Sequence, residues 1–292
     1  MGSGFVFRVA PELATFAAPY HICDPMIEFK NVHKAFGPKK VLRGFSLTVK
    51  EGETMVIIGY SGTGKSVAIK HIVGLLEPDE GEVWVDGKHV DQLSRTDLYA
   101  LRGSIGYVFQ FAALFDSMTI GENVAMGLRK QGQLTEAEIT TRVDEALRLV
   151  DLPDVQHRMP AELSGGMRKR VGIARAIALR PKYILYDEPT TGLDPVTSAT
   201  IDQLMVRMRE QLGVTGIVIT HDMRSAYTVG TRIAMLYEGT VRAVGTVDEI
   251  QHSTDPLVRQ FIEGRADVDD HTPIVAGLPG SLPADVPTRA HG

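Results

Sequence analysis

The sequence predicts an α/β fold in which a helical block interrupts the alternation of strands and helices. Short apolar runs of strand length alternate along the chain with segments of helical period. The run 55–58 enters a glycine-rich loop, and a helical stretch over 67–76 follows it. Residues 111–178 are mostly helical in pattern, which predicts a subdomain inserted into the sheet-forming part of the chain.

The first hundred residues contain most of the predicted strands. Alternating or continuous apolar residues are bounded by turn signals such as Asp86-Gly87, which is typical of a hairpin. Ser94 and Asp97 have the spacing of a capping box in front of a short helix over 98–102. The predicted strands of this part are 27–29, 41–49, 55–58, 82–85 and 105–109, with turns at 34–37 and 51–53.

Later elements are predicted from caps and periodicity. Thr135 and Glu138 form a capping-box pattern before an apolar helical face, and Asp194-Pro195 has the pattern of a helix start. Two short helices begin at Thr246 and Asp255, the second ending at Gly264. The remaining predictions are helices over 139–150, 164–180 and 195–212, strands at 183–186 and 216–220, and a hairpin of 232–237 with 240–243.

Composition excludes some classes of protein. The chain has 292 residues and a formal net charge of −5, which disfavours a nucleic-acid-binding protein. It lacks a run of about 18 consecutive apolar residues, so we expect no direct insertion into a membrane. Residues 1–25 are predicted to be an N-terminal extension, non-native or disordered, and residues 265–292 a proline-rich tail.

The loop from Gly59 to Ser66 has the pattern G-x-x-x-x-G-K-S of a phosphate-binding loop. Its glycines let successive backbone N–H groups point inward, and the following helix adds the positive end of its dipole. We expect Lys65 to reach the β- and γ-phosphates and Ser66 to hold Mg²⁺. A turn without function is the alternative. The candidate nucleotide-binding residues are Gly59, Tyr60, Ser61, Gly62, Thr63, Gly64, Lys65, Ser66 and Val67.

A pair of carboxylates follows the apolar run 183–186. Asp187 is placed to bind Mg²⁺ directly or through water, and Glu188 to act as a general base toward an attacking water. The alternative is a solvated acidic loop end. An apolar strand that leads into such a pair downstream of a phosphate loop favours the catalytic interpretation.

A second anion site is predicted at Ser164, Gly165 and Gly166, which open a helix. A plain glycine-rich helix cap is the alternative, and by itself the commoner meaning of such a sequence. Two anion sites in one chain suggest that they cover opposite faces of one nucleotide and come from two subunits.

Taken in order, these motifs resemble the nucleotide-binding domain of an ABC transporter over about residues 26–264. Gln110 matches the Q-loop, Gly192-Leu193-Asp194 the D-loop and His221 the switch histidine. Phe36 lies where the family has an adenine-stacking aromatic, usually Tyr. The resemblance implies a P-loop NTPase (RecA-like) core with an N-terminal antiparallel β subdomain and an inserted α-helical subdomain at about 111–178.

The resemblance also implies the activity and the site. Two copies would bind two ATP molecules head to tail, each nucleotide held between Lys65 and Ser66 of one copy and Ser164, Gly165 and Gly166 of the other. Ser66, Gln110 and Asp187 would hold Mg²⁺, and Asp194 would contribute to nucleotide binding. Glu188 and His221 would be catalytic. Gln110 would pass movement to transmembrane permease subunits.

Three stretches resemble the ATPase subunits of Mla-type phospholipid transporters and their Mce-type relatives: Leu-Ser-Gly-Gly-Met at 163–167, the segment 109–116 and the ending 255–264. The resemblance implies transport of phospholipid between inner and outer membrane. It also implies Mce-domain and STAS-domain partners and a peripheral location at the cytoplasmic face of a bacterial inner membrane. The tail 265–292 would then clasp the dimer; unchanged dimerisation and activity after its deletion would contradict this.

Three other functions are consistent with parts of the pattern. The first is the motor of another importer or exporter, for amino acids or lipoproteins, with the same chemistry. The second is a soluble ABC protein that acts on DNA or ribosomes, which the net charge and the absence of a tandem cassette disfavour. The third is an inactive regulatory cassette, which the intact Lys65, Asp187, Glu188 and His221 argue against.

Overall fold

The computed structural model describes residues 26–265, so the predicted extension 1–25 and residues 266–292 of the predicted tail lie outside it. The described strands are β1 Ile27–Phe36, β2 Lys39–Val49, β3 Thr54–Ile58, β4 Glu80–Val85, β5 Lys88–His89, β6 Ile105–Val108, β7 Tyr183–Asp187, β8 Thr215–Ile219, β9 Arg232–Tyr237 and β10 Thr240–Thr246. The described helices are α1 Lys65–Ile72, α2 Arg95–Gly103, α3 Ile120–Gln131, α4 Glu136–Leu149, α5 Gly165–Ile177, α6 Pro195–Leu212, α7 Met223–Val229, α8 Val247–Gln251 and α9 Pro256–Glu263.

The strands form two sheets. The first has the order β2-β1-β4-β5 and is antiparallel throughout. The second has the order β10-β9-β3-β8-β7-β6, and all its pairs are parallel except the edge pair β10–β9. Because parallel strands end at the same edge of a sheet, the loops that follow β3, β8, β7 and β6 meet at one edge.

The parallel sheet separates two hydrophobic cores. Along β3, Met55 and Ile57 face the core that also contains the antiparallel sheet, whereas Val56 and Ile58 face the core that contains the helices. β7 and β8 alternate in the same way. This explains why these strands are continuous apolar runs in the sequence, since a strand buried on both faces has no polar side.

Three helices between β6 and β7 make the inserted helical layer. α3 and α4 both begin with a capping box, Thr119 with Glu122 and Thr135 with Glu138, in which each threonine accepts a bond from the third helical N–H. Each such cap stabilises a helix by about 1 kcal/mol. α5 packs against α3 and α4, and then leads back to the sheet through β7.

Several predicted boundaries are wrong by a few residues, and helix α7, Met223–Val229, is absent from the prediction. α1 begins at Lys65 and ends at Ile72, not at 76, because Gly74 takes a left-handed backbone with φ +60°. α5 ends at Ile177 and not at 180, where Arg180 also has positive φ. β1 continues to Phe36 through the predicted turn, because β2 pairs with it up to that point.

Candidate nucleotide-binding and hydrolytic site

The phosphate loop lies between β3 and α1 and is shaped by two glycines. A Cβ at Gly59, where φ is +147°, would collide with the carbonyl oxygen of Leu236. A Cβ at Gly64, where φ is +106°, would lie 2.7 Å from the Val41 side chain. Both positions therefore require glycine, and the loop curls tightly against β2 and β9.

Lys65 is folded back over this loop. Its Nζ donates to the carbonyl oxygens of Gly59 at 2.7 Å and Tyr60 at 3.0 Å. The residue is 6% exposed, and burial lowers the pKa of its amine, while the carboxylates of Glu188 and Asp187 act in the opposite direction. The arrangement places a cation beside the nest of backbone N–H groups, which suits a polyphosphate.

The end of β7 brings a carboxylate to the same place. Asp187 Oδ1 accepts a hydrogen bond from the Ser66 hydroxyl at 2.7 Å, and its Oδ2 accepts one from the Tyr107 hydroxyl at 3.2 Å. Burial and the neighbouring Asp187 raise the pKa of the Tyr107 phenol, so this donor stays protonated. Tyr107 was not among the predicted site residues, although its place in strand β6 next to β7 could have suggested it.

These donors suit Mg²⁺. The described residues 26–265 contain no group of three or more His, Cys, Asp or Glu side chains that could hold a metal by themselves. Mg²⁺ is usually bound by one or two protein oxygens together with phosphates and water. The paired oxygens of Ser66 and Asp187 match that donor set. Ser66 and Gln110 line one cavity, which Asp187 adjoins through its bond to Ser66. Bound there, the ion would neutralise phosphate charge.

Glu188 follows Asp187 in a strained conformation. Its φ is +52°, in the left-handed region that non-glycine residues rarely adopt. Its N–H donates to the carbonyl of Ile219 at 3.0 Å, and its Oε2 accepts from the Thr191 hydroxyl at 3.0 Å. His221 Nδ1 lies 2.9 Å from the same oxygen. Strain of this kind is common where a side chain is held for chemistry.

Lys169 of α5 binds the backbone of the turn that carries Glu188, and it was not among the predicted site residues. Its Nζ donates to the carbonyl oxygens of Thr191 at 3.1 Å and Glu188 at 3.5 Å. Burial lowers the pKa of its amine, with the Glu188 charge acting against that shift. The helix that begins at the predicted second anion site is thus tied to the turn that carries Glu188.

A cavity of about 700 Å³ joins most of the predicted residues. This volume is in the range of small-molecule sites. Three lining residues were not predicted: Lys39, Val41 and Phe261. Phe261 of α9 lies edge-on to Tyr60 with ring centroids 5.1 Å apart. The predicted residues on the cavity are Phe36, Gly59, Tyr60, Ser61, Gly62, Gly64, Lys65, Ser66, Val67, Gln110, Glu188 and His221.

The predicted second anion site is not part of this cavity. Ser164, Gly165, Gly166 and Asp194 are absent from its lining. The Ser164 hydroxyl accepts from the N–H of Met167, and Asp194 caps α6 by accepting from Val196 and Thr197, whose bonds lower the pKa of its carboxyl. Thr63 and the predicted metal ligand Asp187 also lie off the cavity lining: the Thr63 hydroxyl donates to the Tyr60 carbonyl oxygen, and Asp187 reaches the cavity only through its bond to Ser66.

Gly165 and Gly166 differ in what surrounds them. A Cβ at Gly165 would meet only the Leu193 side chain, at 3.9 Å. A Cβ at Gly166 would clash with the Thr197 methyl group. Packing within the chain therefore explains the glycine at 166 and leaves the glycine at 165 without an internal reason.

The loop after Gln110 carries exposed aromatics on a constrained backbone. Ala112 and Ala113 both have positive φ, and the Arg175 guanidinium donates to their carbonyl oxygens at 2.8 and 2.6 Å. Burial lowers the pKa of this guanidinium. The loop exposes Phe111 by 84%.

The fold and the site define a class of protein. The sequence model of the ABC transporter family matches residues 42–191, and the chain belongs to this family as an ATP-binding subunit. It is an ATPase. The predicted fold, a P-loop core with an antiparallel β subdomain and helices, is confirmed.

The names of similar proteins indicate different transported substrates. The chain is 41% identical to the probable ribonucleotide transport ATP-binding protein mkl of Mycobacterium tuberculosis, over 88% of this chain and 71% of that protein. It is 36% identical to the intermembrane phospholipid transport system ATP-binding protein MlaF of Escherichia coli, over 83% and 90%. It is 41% identical to the methionine import ATP-binding protein MetN of Carboxydothermus hydrogenoformans, over 90% and 77%.

A solved structure agrees with the fold. The dimeric, post-hydrolysis structure of the ATP-binding cassette MJ0796, bound to ADP and Pi, is similar with a TM-score of 0.70 and 37% identity. The similarity covers 76% of this chain and 99% of that one. None of the helices within residues 26–265 combines the length and the apolar composition of a transmembrane span.

Proposed function

We propose that this chain is the ATP-hydrolysing subunit of an ABC transporter that moves phospholipids between the inner and outer membranes of a bacterium. The observation that carries the proposal is the similarity to MlaF over 90% of that protein's length. The Leu-Ser-Gly-Gly-Met signature at 163–167 and the ending 255–264, which forms α9, support it. The chain would act peripherally, at the cytoplasmic face of the inner membrane.

The active form in this proposal is a head-to-tail dimer. Ser164, Gly165 and Gly166 do not line their own chain's cavity, and a side chain at Gly165 would contact only Leu193. A glycine that its own chain does not need is understandable if the γ-phosphate in the partner's site comes close to it. The dimeric structure of MJ0796 supports this arrangement.

Within each site we propose distinct roles for the residues. Lys65 and the backbone of the phosphate loop hold the phosphates, Phe36 stacks on the base, and Ser66, Gln110 and Asp187 are the Mg²⁺ ligands. Glu188 accepts the proton of the attacking water, and His221 holds Glu188 in position. Its 2.9 Å approach to Glu188 supports the last role.

The permease is proposed to dock on the exposed aromatic loop that follows Gln110. Phe111 and Phe115 are each at least 50% exposed there, which is unusual for large apolar side chains that serve no contact. Because the loop is fixed by Arg175 and adjoins the cavity at Gln110, movement at the nucleotide would reach the docking surface. Mce-domain and STAS-domain proteins complete the proposed complex.

The experiment that tests the cargo is purification of the intact complex from native membranes, with identification of its companion chains and bound lipid. A permease, an Mce-domain protein and phospholipid are the expected result. The alternative is an importer or exporter of another substrate, favoured by the similarity to MetN over 90% of the chain. Recovery of a permease with a periplasmic amino-acid-binding protein, without lipid, would establish that alternative.

A further inference from the structure

A buried carboxylate outside the cavity has no assigned role. Asp202, in the middle of α6, is 3% exposed. Its Oδ2 accepts a hydrogen bond from the Ser225 hydroxyl of α7 at 2.9 Å, while its Oδ1 has no partner. A buried carboxylate with an unpartnered oxygen costs stability, so packing alone gives no reason for an acid here.

Ser225 connects Asp202 to the start of α7. The N-cap of that helix is Asp222, which accepts from the N–H groups of Arg224 and Ser225. The N–H of Asp222 in turn donates to the Thr220 hydroxyl at 3.0 Å. His221 lies between Thr220 and Asp222, so a shift of the first turn of α7 moves the imidazole relative to Glu188.

α6 also begins at the D-loop. Asp194 is its N-cap, and Asp202 lies two turns further on. Leu193, Pro195 and Ser198 share a groove of about 390 Å³ with Asp202, Asp222 and Arg224. Apart from Asp202, the charged residues on this groove are Asp222 and Arg224, and the charge that acts on the Asp202 carboxyl is that of Asp222.

We propose that Asp202 is a positioning residue for His221. By accepting a hydrogen bond from the Ser225 hydroxyl it fixes the first turn of α7, and so it sets the distance and direction at which His221 approaches Glu188. The inference rests on the role proposed above for His221 and is independent of the transported cargo. It assigns a function to the buried hydrogen bond that joins the D-loop helix to the first turn of the switch-histidine helix. The Arg209 guanidinium makes the other bond between these helices, to the Val229 carbonyl at the far end of α7.

The ionised form of Asp202 fits the observed geometry. The Ser225 hydroxyl oxygen lies 2.9 Å from Asp202 Oδ2 and 3.5 Å from Asp222 Oδ2, so the nearer Asp202 is the better acceptor for its single proton when that carboxyl is ionised. A protonated Asp202 would instead donate to Ser225 and turn the serine proton toward Asp222, the helix cap. Burial, partly offset by the Ser225 bond and reinforced by Asp222, raises the pKa of Asp202 to about 6. Turnover is therefore expected to rise with pH through that value.

The test compares Asp202→Ala, Asp202→Asn and Ser225→Ala with Glu210→Gln, which changes an exposed carboxylate on the same helix. Turnover and the KM for ATP are measured from pH 5.5 to 8.5 (about the range that brackets the Asp202 pKa), per mole of ATP-binding sites so that unfolded protein does not count. Asp202→Ala and Ser225→Ala should each lower kcat about tenfold at unchanged KM, less than the about hundredfold that a 1 Å displacement costs. The two together should cost no more than either alone.

Asp202→Asn separates positioning from bulk stability. Its amide oxygen still accepts a hydrogen bond from the Ser225 hydroxyl, so kcat at pH 8 (about two units above the Asp202 pKa) should stay near that of the wild type. Because the amide does not titrate, the rise of kcat near pH 6 should disappear. Because the raised pKa means that ionisation destabilises the fold as pH rises from the unfolded value toward 6, the same variant should also melt higher at neutral pH. Wild-type kcat in both Asp202→Ala and Ser225→Ala, or an unchanged pH profile in Asp202→Asn, would overturn the inference.

His221→Ala, measured in parallel, distinguishes the two proposals. Wild-type turnover in that variant would remove the proposed role of His221 itself. Lost turnover in His221→Ala together with unaltered Asp202→Ala would overturn only the positioning role.

Discussion

Glu188 shows how much one residue depends on its neighbours. Four groups hold it: the Ile219 carbonyl and the Lys169 amine through the backbone, and Thr191 and His221 through the carboxylate. The bonds from Thr191 and His221 fix both the position of Glu188 Oε2 and the direction from which it can accept a further proton. In the proposed role as general base, a carboxylate held in this way would act without reorganisation of the site at the moment of reaction.

Glu188→Gln should bind ATP and hardly hydrolyse it. The amide keeps the shape and the contacts to Thr191 and His221 but accepts no proton, and loss of a general base costs about 10²–10⁴ in rate. Phosphate release and nucleotide binding are the measurements, and an ATP-dependent dimer on a sizing column is the expected accompaniment. Glu210→Gln serves as the control, and normal turnover in Glu188→Gln would refute the assigned role.

The sequence predicted the residues of the phosphate loop and both carboxylates because each has a fixed spacing from a strand end. It did not predict Lys39, Phe261, Tyr107 or Lys169. These residues reach the site from other elements: a second sheet, the last described helix, a neighbouring strand and α5. No local pattern marks such a contact, because it is made by the packing of elements far apart in the chain.

At the scale of elements, helix α5 makes a different contact at its start, its second turn and its last turn. Its start carries Ser164 and Gly165, and its second turn carries Lys169, which holds the Glu188 turn. Its last turn carries Arg175, which holds the loop after Gln110. One helix therefore connects the proposed inter-subunit surface, the Glu188 turn and the proposed permease surface.

Gly165→Leu should keep the fold and abolish hydrolysis. A side chain there meets only Leu193 within the chain, so the unfolding free energy should change by less than about 0.5 kcal/mol. Gly166→Leu, the matched change one residue on, collides with Thr197 and should cost about 1–3 kcal/mol. Thermal melts and ATPase assays on both variants make the comparison; full activity in Gly165→Leu would contradict the two-subunit site.

Element prediction failed where local signals were weak. α7 has only seven residues, too short for a clear apolar period, yet Asp222 caps it with two backbone bonds and could have been recognised as a helix start. The capping boxes of α4 and α8 were recognised and are confirmed, because their signal is confined to four adjacent residues. Short-range chemistry was readable, and long-range pairing, such as the extension of β1 along β2, was not.

At the scale of the whole molecule, the nucleotide cavity and the Phe111 surface meet at Gln110. The cavity is at the carboxyl edge of the parallel sheet, and the aromatic loop leaves it toward the helical layer. Arg175 holds the carbonyl oxygens of both alanines of that loop, whose backbone is left-handed, which supports the proposal that the loop passes movement from the cavity to the permease.

Phe111→Ser should separate ATP hydrolysis from assembly. The side chain is exposed and makes no part of the cavity lining, so the isolated chain should hydrolyse ATP normally. Co-purification with the permease should fall at least about tenfold, as expected for loss of an aromatic anchor worth 2 kcal/mol or more. Val244→Ser, an exposed apolar residue on β10, is the control. Retention of the permease by Phe111→Ser would argue against this docking surface.

The left-handed backbone at Glu188 has a consequence for anyone who engineers this chain. A strained φ costs of order 1–3 kcal/mol, and glycine at the same position would relieve it without moving the backbone. A library selected only for heat resistance would therefore enrich Glu188→Gly and discard the carboxylate. Directed evolution of a more thermostable variant therefore needs an ATPase screen at every round, because selection for stability and selection for activity favour different residues at this position.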